Sequence, residues 1–311
     1  MTLKTAIAEF LLHCKFEKNL SPKTLKAYEI DLTQLHKFLN LKNLVIDISK
    51  EDLKSYLVSL SSLKPKSIKR KVATMKALFN YLEYEDKIVA NPFRKIRIKI
   101  KEPQTLRGVL ELREVIKILK LSYQNRSIIK DKSSYAYFES VRNIVVLELL
   151  FSTGARVSEI ADIKSECVNL RSGTIIIKGK GNKERIIQIC NAETLFILQE
   201  YFNLCKDYKP KPTNWFLLNR FNNKLSDQSI RAIVHNICTK AEIPRPITPH
   251  IFRHTFATLL LERDVDIRYI QALLGHSSIT TTQIYTHVTR RRQRQILASK
   301  HPRKNFLMVP A

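Results

Sequence analysis

Residues 174–189 read TIIIKGKGNKERIIQI. Two β-branched runs, Thr174 to Lys178 and Arg185 to Ile189, flank the turn Gly179-Lys180-Gly181-Asn182-Lys183-Glu184, and this pattern predicts a β-hairpin. No other segment of the 311 residues is a persuasive strand. On either side of the hairpin the apolar spacing is that of helices. Residues 191–206 and 226–241 read as helices after it. Before it, residues 111–121 read as helical, and Ile144 to Phe151 as a buried helix running into Ser152-Thr153-Gly154-Ala155-Arg156. The stretch from Tyr123 to Ser140 is polar and lacks a clear period, so a loop or insertion is expected there. The expected fold class is mainly α (α+β), a mostly helical domain with a small β-sheet or hairpin.

The first ninety residues predict an all-helical domain. Ser21-Pro22 is a strong helix start, with Ser as N-cap and Pro in the first turn. Leu25, Tyr28, Leu32, Leu35 and Leu39 then recur at steps of three and four, which marks one buried face. Ser49-Lys50-Glu51-Asp52 matches a capping box with Asp in place of the usual Glu. A fourth helix is expected from about Pro65 to Tyr84, with Val72, Met75, Phe79 and Leu82 inward. Such helices with short connections make a four-helix bundle. Asn91-Pro92 is a boundary signal. The chain therefore divides into an N-terminal helical domain (1–90), a basic linker (91–107), a larger domain (108–289) and a C-terminal tail (290–311).

Charge narrows the partner. The chain carries 54 Lys and Arg against 28 Asp and Glu, a formal net charge of +26. That excess calls for a polyanion, either nucleic acid or an anionic membrane. The stretch from Ile144 to Phe151 contains Glu148 and is too short to span a bilayer, and the N-terminus lacks the apolar run of a signal peptide. The five cysteines are odd in number and have no C-x-x-C spacing, so reduced, buried thiols in a cytoplasmic protein are expected, with no disulfide, metal site or cofactor. Lys64, Lys66, Lys69, Arg70, Lys71 and Lys76 occur with no acid between them on the fourth helix. A second acid-free stretch follows with Lys87, Arg94, Lys95, Arg97, Lys99 and Lys101. One such cluster is ordinarily a solvated face. Two of them flanking a domain junction, in a chain of this charge, point to phosphate contacts.

The larger domain carries scattered polar residues, each with an ordinary explanation when read alone. His250 and Arg253 lie three apart at a helix start marked by Thr248-Pro249, which suits an anion but is usually surface decoration. Arg156 with Glu159 suits a surface ion pair, Lys180 a soluble turn and His276 a turn after the C-capping Gly275. Tyr285 sits on a segment rich in β-branched residues, a poor helix former, and reads equally as core.

The combination is what decides. Thr-Gly-Ala-Arg-Val-Ser-Glu (153–159), Gly-Lys-Gly-Asn-Lys-Glu-Arg (179–185), Pro-His-Ile-Phe-Arg-His-Thr-Phe-Ala-Thr (249–258), Leu-Leu-Gly-His-Ser-Ser (273–278) and Thr-Thr-Thr-Gln-Ile-Tyr-Thr-His-Val (280–288) together resemble the tyrosine recombinase (integrase) family, and within it the Xer-type recombinases. The resemblance extends to Ser-Pro-Lys-Thr-Leu-Lys-Ala-Tyr (21–28) and covers nearly the whole chain. Residues 121–140 look longer than in the usual paired Xer proteins, and residues 304–311 run past the customary His-Pro-Arg ending, which suggests a divergent branch whose single protein works alone.

The resemblance implies a site-specific recombinase that cuts and rejoins double-stranded DNA without metal or ATP. Tyr285 would form the 3′-phosphotyrosyl bond. Arg156 and Arg253 would clamp the non-bridging oxygens, Lys180 would protonate the leaving 5′-oxygen, His250 would move the tyrosine proton, and His276 would donate to the phosphate. Domain 1–90 would then bind the core site, with the basic residues named above on phosphates. Four protomers would assemble on two dif-like sites to resolve chromosome dimers, with 290–311 contacting a neighbour and a cell-division DNA translocase as activator. A mobile-element integrase, a type IB topoisomerase and a non-catalytic DNA-binding protein remain as alternatives.

Overall fold

The computed structural model describes residues 1–39, 44–101, 108–179, 183–208, 213–275 and 290–308. It divides into two compact units, Met1–Leu106 and Arg107–Ala311.

The first unit contains α1 (Leu3–Phe16), α2 (Pro22–Phe38), α3 (Lys50–Ser59) and α4 (Pro65–Tyr84). Side-chain caps fix three of these starts. The Thr5 amide donates to Thr2 Oγ1 (3.1 Å) and the Thr24 amide to Ser21 Oγ (3.3 Å). At α3, Asp52 N–H donates to Ser49 Oγ while Asp52 Oδ2 accepts from the Ser49 amide, so the shorter carboxylate closes the capping box. Leu3, Phe10, Leu32, Leu35, Leu53, Met75 and Phe79 form the core. The first part of the stretch read as linker belongs to this unit. Asn91 Oδ1 accepts from the Phe93 amide (2.8 Å), and Phe93 and Ile96 are buried in the same core. Ile96, Ile98 and Ile100 alternate with Arg97, Lys99 and Lys101, so the segment has an apolar side to pack despite its charge.

The second unit is mainly α around a small antiparallel sheet. Its central element is α6 (Tyr135–Thr153), buried on all sides from Ile144 to Thr153. It packs against α5 (Leu112–Ser127), α8 (Ala192–Tyr208) and α10 (Pro249–Leu261). The expected loop from Tyr123 to Ser140 is mostly helix. Here α5 continues to Ser127 and α6 begins at Tyr135, because Tyr123, Tyr137 and Phe138 are core aromatics with hydroxyl or ring partners. The sheet has the order β1-β2-β3, with β1 (Val168–Asn169) beside β2 (Thr174–Lys178) and β3 (Glu184–Gln188). Ile175 pairs with Ile187 and Ile177 with Arg185; Ile175, Ile177 and Ile187 face the core. The two-residue β1 was too short to leave a sequence pattern. The unit is completed by α7 (Val157–Ala161), α9 (Asp227–Lys240), α11 (Ile267–Leu274) and α12 (Arg290–Lys300).

The C-terminal segment is neither frayed nor bare. Ile296 and Leu297 of α12 are buried against the second unit, as are His301 and Arg303. The Arg303 guanidinium meets Glu148 at 2.9–3.1 Å and Glu193 at 2.9 Å, with Arg303 and Glu148 fully buried. Tyr123 OH and Thr194 Oγ1 each donate to the Glu148 carboxylate (3.0 Å), so both of its oxygens are engaged. The Met308 amide donates to Glu193, which closes the segment down. Among the described residues no helix is long and apolar enough to cross a membrane.

Candidate active site

Two helices of the second unit end at left-handed glycines, and both ends converge on one arginine. Gly154 (φ +58°) terminates α6 and Gly275 (φ +65°) terminates α11. An added Cβ at Gly154 would lie 2.5 Å from Phe256 Cδ1 and 2.9 Å from Leu274 Cδ2, so packing as well as backbone conformation demands glycine there. The turn is held further by Thr153, whose hydroxyl donates to the Leu149 carbonyl and accepts from the Ala155 amide. The freed carbonyls of Gly154 and Leu274 accept from Arg253 Nη1 (2.8 Å) and Nη2 (2.7 Å). Both lie at helix C-termini, where the partial negative charge favours a cation.

Arg253 reaches these carbonyls from the first turns of α10, whose Phe252, Phe256 and Leu260 bury the helix. The residue is 7% exposed and, among the described residues, has no carboxylate partner. Burial, and after it the Arg156 charge, pushes its pKa down to about 10. The group stays charged at neutral pH.

Arg156 begins α7 where α6 has turned. Its backbone N–H donates to Glu159 Oε2 (2.8 Å) and its Nη1 to Glu159 Oε1 (2.7 Å). Burial alone would raise the Glu159 carboxyl, but hydrogen bonds from Arg185 and Arg156, with their charges, hold it below its ordinary value. The side chain of Arg156 remains 38% exposed. Arg156 and Arg185 thus share the Glu159 carboxylate while Arg253 beside them bonds only carbonyl oxygens, which leaves the cluster with an excess of positive charge.

His250 is exposed on the first turn of α10, one turn before Arg253. The structure therefore brings Arg156 and Arg253 into one electrostatic unit and places His250 at the adjoining helix start. Lys180, His276 and Tyr285 lie outside the described residues. Arg185 was not singled out by the sequence reading; it is a member of the hairpin motif, but its partners are remote in sequence.

In the first unit, Lys64, Lys66, Lys69, Lys76, Lys95 and Arg97 are exposed. Lys71 is a correction to the expected phosphate contacts. Its side chain is buried, and its ammonium binds Asp31 Oδ1 (2.9 Å) and Gln34 Oε1. Arg70 is half exposed and paired with Asp31 Oδ2, and Arg94 with Glu83 (2.9 Å). The stretches free of acid in sequence acquire acids from neighbouring elements. Four of the five cysteines are buried thiols and Cys190 is exposed.

The comparisons with known proteins agree with this geometry. The phage integrase family matches residues 121–292, and the N-terminal SAM-like domain of phage integrases matches residues 7–86. A tyrosine recombinase of Agathobacter rectalis is 46% identical over 307 residues, covering 98% of each chain. The tyrosine recombinase XerD of Listeria innocua is 34% identical over 305 residues, covering 96% of this chain and 98% of its own. Two solved structures share the fold. XerH bound to its difH substrate before cleavage has a TM-score of 0.66 at 24% identity, over 93% of this chain and 83% of that one. A lambda integrase dimer on a core site has a TM-score of 0.68 at 18% identity, over 93% and 100%. The chain belongs to the phage integrase family of tyrosine recombinases. Within that family it is of the Xer type, and its enzymatic class is site-specific DNA recombinase.

Proposed function

We propose that this recombinase cuts and rejoins double-stranded DNA at a dif-like site through a 3′-phosphotyrosyl bond on Tyr285, and so resolves chromosome dimers during segregation. The observation that carries the reading is the buried Arg253 guanidinium, bonded to two carbonyls and set beside Arg156. A scissile phosphate supplies the missing charge. In the transition state negative charge gathers on the non-bridging oxygens, and two guanidinium groups already fixed in place stabilise it without reorganising. Tyr285 attacks phosphorus, its phenolic proton passes to His250, and Lys180 gives a proton to the departing 5′-oxygen. His276 donates to the phosphate. The ester conserves the bond energy, so rejoining needs no cofactor.

The XerD relative of Listeria innocua, a XerC relative at 32% identity, and the structure of XerH on difH support the dif-like assignment. A homotetramer on two sites is part of the proposal, as is a cell-division DNA translocase as activator, with the enzyme acting in the cytoplasm where the chromosome is. Lys64, Lys66, Lys69, Lys76, Lys95 and Arg97 would contact phosphates. Residues 290–311 would contact the neighbouring protomer, exchanging the surface of their own unit for the neighbour's.

The test is covalent attachment. On a nicked substrate that traps cleavage, wild type should give a denaturation-resistant adduct and Tyr285→Phe none, with DNA binding retained. Mapping adducts across the chromosome should return one dominant site. Adducts with the phenylalanine variant would remove Tyr285 as nucleophile, and scattered adducts would remove dimer resolution.

A further inference from the structure

Arg185 leaves β3 and makes two bonds to elements far apart in sequence. Its Nη2 donates to Glu159 Oε2 (2.7 Å) and its Nε to the Leu273 carbonyl (2.8 Å). The Glu159 carboxylate is the one that holds Arg156, and the Leu273 carbonyl adjoins the Leu274 carbonyl held by Arg253. Gly275 fits the same arrangement. A Cβ there would come within 3.1 Å of Arg185 Nη1, so the glycine allows the guanidinium to lie flat against the turn.

From this geometry we infer that Arg185 is a positioning residue of the recombination reaction, acting through Glu159 on Arg156 and through the end of α11 on Arg253. The inference rests on the reading of Arg156 as a clamp on the scissile phosphate. Two effects follow from the one side chain. Arg185 shares the negative charge of Glu159, so Arg156 keeps more of its attraction for phosphate. It also fixes Glu159 Oε2, which leaves Oε1 to set the direction of the Arg156 fork. Arg185 is too enclosed to touch DNA itself, since its side chain is 11% exposed against 38% for Arg156. Lysine cannot replace it, because one ammonium lacks the planar fork that reaches a carbonyl and a carboxylate at once. Arg185 also ties the hairpin that carries Lys180 to the turn that precedes His276.

The experiment compares cleavage of an ordinary phosphodiester with cleavage of a substrate bearing a neutral methylphosphonate at the scissile position. Wild type, Arg156→Ala, Arg185→Ala and Arg185→Lys are each measured on both. On the phosphodiester, Arg185→Ala should lose about 10–100-fold, the range for a residue that orients another ligand. On the methylphosphonate the need for charge neutralisation falls, and the losses of Arg185→Ala and Arg156→Ala should both shrink. A residue that merely holds the fold would lose equally on both substrates, and that result overturns the inference. If Arg185→Ala does not fold, Arg185→Lys gives the same comparison with charge kept and fork lost. If the neutral substrate rescues neither Arg156→Ala nor the Arg185 variants, the reading of Arg156 fails. If it rescues Arg156→Ala alone, only the role of Arg185 fails.

Discussion

Gly154→Ala perturbs the point where α6 ends and Arg253 is held. Gly154 sits at φ +58°, where a side chain costs about 1–2 kcal/mol. The new methyl would also lie 2.5 Å from the Phe256 ring and 2.9 Å from Leu274, both buried. Neither neighbour is the loose end of a flexible chain, so overpacking adds about 1–3 kcal/mol. The expected destabilisation is therefore about 2–5 kcal/mol. For a unit of this size each kcal/mol lowers the melting midpoint by about 2–4 °C. A fall of roughly 4–20 °C should appear in thermal unfolding followed by circular dichroism. Gly108→Ala is the control: its Cβ would come no nearer than 3.5 Å to Arg245 Nε, an ordinary contact with a side chain, and its backbone is not left-handed, so its midpoint should barely move. Adding Phe256→Leu to Gly154→Ala should recover part of the loss, because the ring is the nearest obstacle. At a temperature where the variant is folded, cleavage should still be slower, since displacing the Gly154 carbonyl shifts Arg253. A Gly154→Ala midpoint within about 2 °C of wild type, by the same scale, would refute the reasoning.

Three further outcomes are expected. Arg303→Met should cost about 3–5 kcal/mol in denaturant unfolding because it strands a buried Glu148, whereas Glu148→Leu with Arg303→Met should be much milder; equal losses would mean that the stranded charge is not the cause. Lys66→Ala and Lys76→Ala should each reduce the salt slope of DNA binding by about one, while Lys71→Met should lower stability and leave the slope alone; a flatter slope for Lys71→Met would return that residue to the DNA interface. Lys180→Ala should lose about 10²–10⁴-fold in cleavage, and replacing the bridging 5′-oxygen by sulfur should restore it, since a thiolate leaves without a proton. Failure of sulfur to rescue Lys180→Ala would make Lys180 a phosphate contact, with Lys183 the next candidate acid.

Local signals in the sequence were faithful to local structure. Ser21, Ser49 and Thr248 start helices as read, the Pro65 to Tyr84 helix has those bounds, and the Gly275 cap is left-handed. What the sequence hid was set by contacts across long intervals. Lys71 looked solvent-facing because its acid, Asp31, lies on another helix. Tyr123 to Ser140 looked irregular because its periodic apolar residues are aromatics with polar tips, such as Tyr123 on Glu148. Arg185 was invisible as a separate participant because its bonds go to residues 26 positions earlier and 88 later. Arg156 and Arg253 were legible as candidates by resemblance, and Gly275 as a helix cap, but the bonds from Arg253 to the Gly154 and Leu274 carbonyls span intervals that no local signal bridges.

The Glu148–Arg303 pair also imposes a timetable on synthesis. The two residues are 155 positions apart, so at ribosomal rates of about 5–20 residues per second Glu148 emerges roughly 8–30 s before its partner. Until then α6, the central helix of the second unit, carries a carboxylate with no counter-charge. The first unit has no such wait, since its core closes within its own residues. A nascent chain can therefore fold its first unit early while the second, larger unit stays unfinished. Chains that stop short of Arg303 leave the Glu148 carboxylate without its counter-charge, a loss the central helix of the unit bears directly.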